Sequence, residues 1–282
     1  MNPDAEGDSM TAEPIEDDAP PTLDRDAYLA RIGYEGSLSP TLETLRALHF
    51  AHVSSIPFEN LDIVLGRAIS LDLDRLQDKL VRARRGGCCF EQNALFGAAL
   101  ESLGFKVLRL AARVRYGAIE IRPRLHMLLE IQFDAEPWLA DVGFGCDGPL
   151  YPIRLHEAEP VQQGVRRFRV RTEGDQFVLE SHESDGWLVD LYAFAREPQY
   201  PVDYEIGNYY TSTHPHSRFV RSLIVQKGTR EARWSLLNYE LTEETPAGIT
   251  TQSIENDDAL RDVLANRFGL FFPTGTQFPI QT

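Results

Sequence analysis

The sequence predicts an α+β fold in which a helical segment is followed by an antiparallel β-rich segment. Before Gly104 the apolar residues recur at helical spacing, and after it they alternate with polar residues as in strands. The alternating segments are short and separated by turn residues such as Gly117, Pro123 and Gly174, which is typical of an antiparallel barrel or sandwich. The last third of the chain mixes the two patterns, so we expect both helix and strand there.

Composition narrows the class of protein before any motif is considered. The 282-residue chain is 43% apolar, enough for a substantial core, and carries 43 acidic against 28 basic side chains. No segment concentrates Lys and Arg as nucleic-acid-binding surfaces do, and none approaches the roughly 18 consecutive apolar residues of a membrane span. Its three cysteines cannot build a disulfide framework. We therefore expect a cytoplasmic protein without nucleic-acid or membrane partners.

The folded part is predicted to begin after an acidic tail. Residues 1–22 are rich in Asp, Glu, Pro and Ala and lack the apolar content that offsets the entropy of ordering, so we expect them to be disordered. A short helix carrying Tyr28, Leu29 and Ile32 should follow and end at Gly33.

The second helix is predicted to open with Ser39 as N-cap and Pro40 as first helical residue. His49 and His52 share its apolar face at a spacing that also suits two metal ligands. With no third ligand nearby in sequence, we favour partly buried histidines bonded to backbone or water. Pro57 should end the helix.

A cysteine pair lies where the fourth predicted helix begins. A third helix is expected over residues 72–84, and the turn Gly-Gly-Cys-Cys at 86–89 leads into a fourth over 90–103. A helix N-terminus has unpaired N–H groups and the positive end of the macrodipole, which lower the pKa of a cysteine there. Cys88 and Cys89 are therefore both candidate nucleophiles.

The β-rich segment contains a histidine and an acid that could serve such a nucleophile. Strands are predicted over residues 107–116, 125–133, 138–142, 167–171, 176–181 and 187–194. In the second strand the odd positions are all apolar and define a buried face, which puts His126 on the opposite face. Asp141 lies in an apolar segment, where a carboxylate needs a donor partner, and adjacent strands could place it beside His126. Spacing alone does not distinguish a catalytic triad from an inert buried cysteine with a structural acid.

The last third is predicted to contain strands over residues 219–226 and 232–241. Asn256 should cap a final helix that ends at Gly269, with acidic residues in its first turn.

The segment 85–93, Arg-Gly-Gly-Cys-Cys-Phe-Glu-Gln-Asn, resembles the active-site signature of arylamine N-acetyltransferases, in which the second cysteine position holds the nucleophile. Four further segments are similar to family motifs and follow in the family's order: residues 56–62 (Ile-Pro-Phe-Glu-Asn-Leu-Asp), the segment around His126, residues 141–145 and residues 209–215. The resemblance covers about residues 24–282.

The resemblance implies a role for particular residues. Cys89 would accept the acetyl group, His126 would act as its base and Asp141 would orient the histidine. Positions that line the acceptor pocket in similar enzymes are occupied here by Phe58, Phe144 and Phe219, and a position near the acyl donor is occupied by Gly145. Aromatic walls suit flat aromatic amines, which stack on rings.

The resemblance also implies an architecture and a reaction. We expect a helical domain over residues 23–105 with the nucleophile, a β-barrel domain over 106–205 with His126 and Asp141, and an α/β lid over 206–282. Acetyl-CoA would be the co-substrate of a ping-pong reaction without a metal. The acceptor would be an arylamine, an arylhydrazine or an N-arylhydroxylamine.

Other functions use part of the same chemistry. Another acyltransferase or an amide synthase could be built on this scaffold, with propionyl-CoA or malonyl-CoA as donor. A thiol hydrolase would use the same triad, an inactive binding module would use none of it, and a zinc protein would need Cys88, Cys89, Cys146 and His126 as ligands, although adjacent cysteines rarely ligate one tetrahedral ion. An acyl-CoA site needs cations for its phosphates, and since lysine is scarce, Arg218 and Arg221 are the candidates.

Overall fold

The computed structural model describes residues 22–133, 136–156, 159–182 and 188–280. The expectation of a disordered tail concerns residues outside this range, apart from Thr22. The α-helices are Arg25–Ile32 (α1), Leu42–Ser55 (α2), Leu61–Val64 (α3), Leu73–Leu76 (α4), Cys89–Ser102 (α5), Pro201–Thr213 (α6), Arg218–Arg221 (α7) and Asp257–Val263 (α8). The strands are Phe58–Glu59 (β1), Lys106–Val114 (β2), Arg124–Phe133 (β3), Glu136–Ala140 (β4), Ile153–Arg154 (β5), Val161–Gln163 (β6), Arg166–Glu173 (β7), Gln176–His182 (β8), Leu188–Phe194 (β9), Ile224–Gly228 (β10), Arg233–Leu237 (β11), Glu240–Thr245 (β12) and Gly248–Ser253 (β13).

The N-terminal helices form largely as predicted. Gly33 ends α1 in the left-handed conformation, with φ 67°. The predicted start of α2 is wrong by two residues, because Thr41 and not Ser39 accepts the hydrogen bond from the backbone N–H of Thr44 and caps the helix. The helix predicted over 72–84 is α4, which continues as a π-helix over Gln77–Arg82.

One antiparallel sheet has the strand order β5-β4-β3-β2-β9-β8-β7-β6 among the described residues, and β5 approaches β7 so that the sheet is a nearly closed barrel. The six predicted strands are all present, with ends shifted by at most two residues, but β5 and β6 were not predicted. The odd positions Met127, Leu129 and Ile131 of β3 are buried as predicted, and the opposite face is buried as well. Met127 and Leu129 pack against the helices while Leu128 faces the barrel core, because β3 lies inside the sheet with helices on its outer face.

A second antiparallel sheet joins the two ends of the chain in the order β1-β10-β11-β12-β13. The strand predicted over 219–226 is partly wrong, because the first half forms α7 with Ser217 as its cap and only the second half enters β10. The segment 232–241 divides into β11 and β12 at Asn238, which has φ 54°. Asn256 caps α8 as predicted, and the helix continues as a π-helix to Gly269.

These elements bring α5 against the barrel. Cys88 and Cys89 are buried in a core formed by α1, α2, α5 and the outer face of β3, and α6 covers its edge at Tyr204. Helix α6 was not predicted as a helix, and it spans the expected boundary between residues 205 and 206. Among the described residues, no helix combines the length and the apolar content needed to cross a bilayer.

Candidate active site

The turn before α5 is held by buried ion pairs. The Arg85 guanidinium lies 2.6 Å from a carboxylate oxygen of Glu59 and 3.2 Å from one of Asp62. That Glu59 oxygen also accepts the backbone N–H of Gly86 at 3.3 Å. A Cβ at Gly86 would lie 2.1 Å from the carbonyl oxygen of Pro57, so only glycine fits. The geometry of this turn thus accounts for Arg85 and Gly86 of the motif.

Cys89 is the first residue of α5, directly after the cap residue Cys88. The backbone N–H of Cys88 donates to Glu91 Oε2 at 2.9 Å, while the other carboxylate oxygen of Glu91 accepts from Lys79 at 2.7 Å. These bonds fix the first turn of the helix and therefore the direction of the Cys89 side chain. Its Sγ lies 3.7 Å from the carbonyl oxygen of Leu125, on β3.

His126 and Asp141 form a buried pair beside this thiol. His126 Nε2 and Asp141 Oδ2 are 2.7 Å apart, which leaves Nδ1 as the ring nitrogen free for a second partner. The other carboxylate oxygen, Oδ1, accepts from Asn93 Nδ2 and from the Gly143 backbone N–H, both at 2.9 Å. Burial alone would lower the pKa of His126, but the Asp141 carboxylate and Cys89 outweigh it and raise the pKa to about 10.

The electrostatics of Cys89 favour its thiolate. A hydrogen bond from Cys88 contributes most to lowering the pKa of Cys89, burial opposes it, and His126 adds to the lowering, so that the pKa is about 5. The hydrogen bond to Cys89 and, after it, burial raise the pKa of Cys88, so that this thiol stays protonated as a donor. The pKa shifts of Cys89 and His126 both favour a thiolate at Cys89 beside a protonated His126 at neutral pH.

The predicted aromatic residues lie on two sides of this group. The rings of Phe58 and Phe219 are in contact, with centroids 5.8 Å apart, and both pack in the core that contains Cys89. Phe144 lies on the other side, with its ring edge-on to His126 at 5.1 Å. Gly145 has φ 81°, and a Cβ there would lie 2.0 Å from the Oε1 atom of Gln226.

Sequence reasoning missed three residues that contact this site. Asn93 lies one helical turn after Cys89 and bonds Asp141. In the sequence it was indicated only as the last residue of the segment 85–93. Tyr192 packs its ring on His126 with centroids 4.9 Å apart, and nothing in the sequence around it indicated this contact. His49 was expected to be a partly buried histidine bonded to backbone or water, and it accepts from the backbone N–H of Asp141 at 3.1 Å, a partner that the sequence did not indicate.

The two histidines of α2 do not converge on a common ligand. His49 bonds Leu150 and Asp141, while His52 bonds Tyr28 at 2.8 Å and Gln92 at 3.1 Å. Both are fully buried rather than partly buried. Over the ranges that the structure describes, no group of three or more His, Cys, Asp or Glu side chains is arranged to hold a metal ion.

Gly143 provides a test of how closely the Asp141 segment packs on α5. A Cβ there would lie 2.7 Å from Cys89 Cα and 2.6 Å from Asn93 Nδ2. Gly143→Ala should therefore lower the free energy of unfolding by about 1–3 kcal/mol and kcat/KM by up to about 100-fold. Thermal unfolding and steady-state kinetics measure both.

Gly97→Ala is the matched control for that variant. A Cβ at Gly97, also in α5, would meet its nearest atoms at 3.5–3.6 Å, an ordinary contact. The alanine should leave stability unchanged or raise it by about 0.5–1 kcal/mol. Equal losses in the two variants would contradict the close packing at Gly143.

The fold and the site define a class of protein. A cysteine at a helix start, an imidazole that lowers its pKa and a carboxylate on the far ring nitrogen form the arrangement of enzymes that transfer or hydrolyse acyl groups through a thiol. Comparison with known proteins identifies the family within this class.

A family model described as N-acetyltransferase matches residues 41–275. The chain is 40% identical over 257 residues to the arylamine N-acetyltransferase of Mycolicibacterium smegmatis, covering 88% of this chain and 92% of that protein. It is 36% identical over 248 residues to a Salmonella typhimurium protein named arylamine N-acetyltransferase / N-hydroxyarylamine O-acetyltransferase, covering 86% and 88%. The solved structure of Mycobacterium marinum arylamine N-acetyltransferase in complex with CoA superposes with a TM-score of 0.83 at 38% identity, covering 88% of this chain and 93% of that one.

This chain therefore belongs to the arylamine N-acetyltransferase family and is an acyltransferase. The family, the α+β fold and the enzyme class predicted from the sequence are confirmed.

Proposed function

We propose that this protein transfers the acetyl group of acetyl-CoA to arylamines and arylhydrazines through an acetylated Cys89. The observation that carries the proposal is the buried His126–Asp141 pair beside a cysteine of low pKa, in a chain of this family. The choice of donor is supported by the CoA complex of the Mycobacterium marinum relative.

In the first half-reaction the Cys89 thiolate attacks the thioester carbonyl carbon of acetyl-CoA. A bond from Sγ to the acetyl carbon forms, the bond to the CoA sulfur breaks, and the leaving thiolate takes the proton of the His126 imidazolium. The N-terminus of α5 favours the negative charge that builds up on the carbonyl oxygen. The products are acetyl-Cys89, CoA with a free thiol and neutral His126.

In the second half-reaction the amine nitrogen attacks acetyl-Cys89. Neutral His126 accepts the proton that the nitrogen loses, the bond from the acetyl carbon to Sγ breaks, and the thiolate–imidazolium pair is restored. Asp141 keeps Nδ1 of His126 directed at the reacting atoms, because it occupies Nε2. The same steps transfer the acetyl group to the oxygen of an N-arylhydroxylamine, an activity that the name of the Salmonella typhimurium relative includes.

The acceptor pocket is proposed to lie between Phe58 and Phe219 on one side and Phe144 on the other. Their rings flank the Cys89–His126 pair, which suits a flat aromatic amine held by stacking. Gly145 would lie near the donor, and the exposed Arg218 and Arg221 of α7 would contact its phosphates.

Intact mass spectrometry after mixing with acetyl-CoA, without an acceptor, tests the proposal. The wild type should gain one acetyl group, located on Cys89 by peptide mapping. Cys89→Ser should gain none. Cys146→Ser should be labelled like the wild type, because Cys146 is buried and its pKa is raised by burial, which keeps that thiol protonated. An unmodified wild type would overturn the assignment of acetyl-CoA, and label on Cys88 would overturn the choice of nucleophile.

A further inference from the structure

A buried histidine outside the proposed triad contacts the backbone of Asp141. His49 lies on α2, has no exposed surface, and is not used in the two half-reactions. Its Nε2 lies 3.1 Å from the backbone nitrogen of Asp141, and its Nδ1 lies 3.0 Å from the carbonyl oxygen of Leu150.

These two contacts define the protonation state of the ring. The amide of Asp141 can only donate, so Nε2 of His49 must be the unprotonated acceptor. Nδ1 then carries the proton and donates it to the carbonyl oxygen of Leu150. Burial lowers the pKa of His49 to about 4, against smaller opposing contributions from Leu150 and Asp141, so the ring is neutral at neutral pH.

The His49 imidazole forms hydrogen bonds to both ends of one segment, residues 141–150. Residues 141–150 lie between the end of β4 at Ala140 and the start of β5 at Ile153, so their backbone is not part of the barrel ladder. Both Phe144 and Gly145 belong to this segment. Asn93 bonds the Asp141 carboxylate and the Val142 N–H, whereas His49 bonds the Asp141 backbone nitrogen itself. The position of the Asp141 main chain thus depends on a side chain of α2.

We propose that His49 is a positioning residue that places the Asp141 carboxylate against His126 and thereby maintains the Cys89 thiolate. The inference deepens the proposed function and rests on it for the effect on turnover. Since a displacement of about 1 Å can reduce catalysis about 100-fold, losing the bond from the Asp141 N–H should be visible in both thiol reactivity and kinetics.

Two substitutions separate the two bonds of the ring. The Oε1 atom of His49→Gln can occupy the place of Nε2 and accept from the Asp141 N–H. The side-chain amide of His49→Asn can occupy the place of Nδ1 and donate to Leu150, but it leaves the Asp141 N–H without its acceptor. His49→Leu removes both bonds in a similar volume.

The readout is the rate of alkylation by iodoacetamide as a function of pH, followed on Cys89 by mass spectrometry. In the wild type and in His49→Gln the alkylation rate should have its inflection at the same low pH, because the Cys89 thiolate is retained. His49→Asn and His49→Leu should show an inflection at higher pH, and kcat/KM with an arylamine should fall by about 100-fold.

Leu45→Ala controls for lost packing. Leu45 is fully buried on the same helix, and its apolar side chain can form no hydrogen bond to residues 141–150, so its truncation should lower the melting temperature without moving the inflection. Equal inflections in His49→Gln and His49→Asn, or a shift in Leu45→Ala as large as in His49→Leu, would overturn the proposal. If acetyl-CoA failed to acetylate the wild type, that result would contradict the proposed function. The alkylation profiles would still test the role of His49, because they do not require acetyl-CoA.

Discussion

Replacing Cys89 by serine is expected to lower kcat/KM for arylamine acetylation by on the order of 10⁴-fold or more. A serine hydroxyl has a pKa far above that of a thiol, so His126 cannot hold it as an anion at neutral pH. The two side chains are nearly the same size, and the serine hydroxyl can donate to the neighbouring Leu125 carbonyl oxygen. The melting temperature should therefore stay close to that of the wild type while steady-state turnover is lost.

The adjacent cysteine is the matched control for this variant. Cys88 is as buried as Cys89, and its thiol contributes a hydrogen bond that lowers the pKa of Cys89. Serine can still donate that bond, so Cys88→Ser should change kcat/KM by no more than about tenfold, the equivalent of one pKa unit. A larger loss in Cys88→Ser than in Cys89→Ser would show that the nucleophile had been assigned to the wrong residue.

The helix that begins at the cysteine pair could be predicted from local sequence alone. Two glycines precede it, a run of Ala, Leu and Phe fills it, and Gly104 follows with φ 86°. The choice between Cys88 and Cys89 could not be made in that way and came from the family resemblance. The reason is physical, because the pKa of Cys89 depends on His126, which lies on another element.

The sequence could not assign the surroundings of polar side chains whose partners are distant along the chain. Glu130 on β3 is fully buried and bonded to Arg196, which is 66 positions away. His49 and Asp141 are separated by 92 positions. In both cases the side chain alone is compatible with several surroundings, and the tertiary fold selects one of them.

The second sheet, β1-β10-β11-β12-β13, was only partly predicted for a similar reason. Strand β1 is two residues long and is stabilised by pairing with β10, where Phe58 lies opposite Gln226. No periodicity can be detected in so short a strand. This pairing nevertheless brings the first predicted pocket residue beside the last third of the chain, so it contributes to the proposed acceptor site.

Asp141→Asn should lower kcat/KM by about 10³–10⁴-fold, because the carboxylate both orients His126 and stabilises its charge. In the wild type, Cys89 takes up a proton below its pKa of about 5, and His126 loses its proton above its pKa of about 10. The thiolate–imidazolium pair is therefore complete between these limits. An amide at position 141 removes the negative charge that raises the pKa of His126, so this pKa falls. A neutral imidazole no longer lowers the pKa of Cys89, which then rises.

The pH profile of Cys89 alkylation should accordingly move its inflection upwards from about pH 5 in Asp141→Asn. Glu130→Gln makes the same change of charge in another buried acid of the barrel, whose partner is Arg196 at 2.6 Å rather than His126. It should lower the melting temperature, because it breaks an ion pair with a buried member, and leave the inflection in place. Since the two variants remove the same charge, only the contact with His126 distinguishes them. An unchanged inflection in Asp141→Asn with turnover lost would mean that Asp141 orients the histidine without stabilising its charge, which would contradict the electrostatic role argued for it.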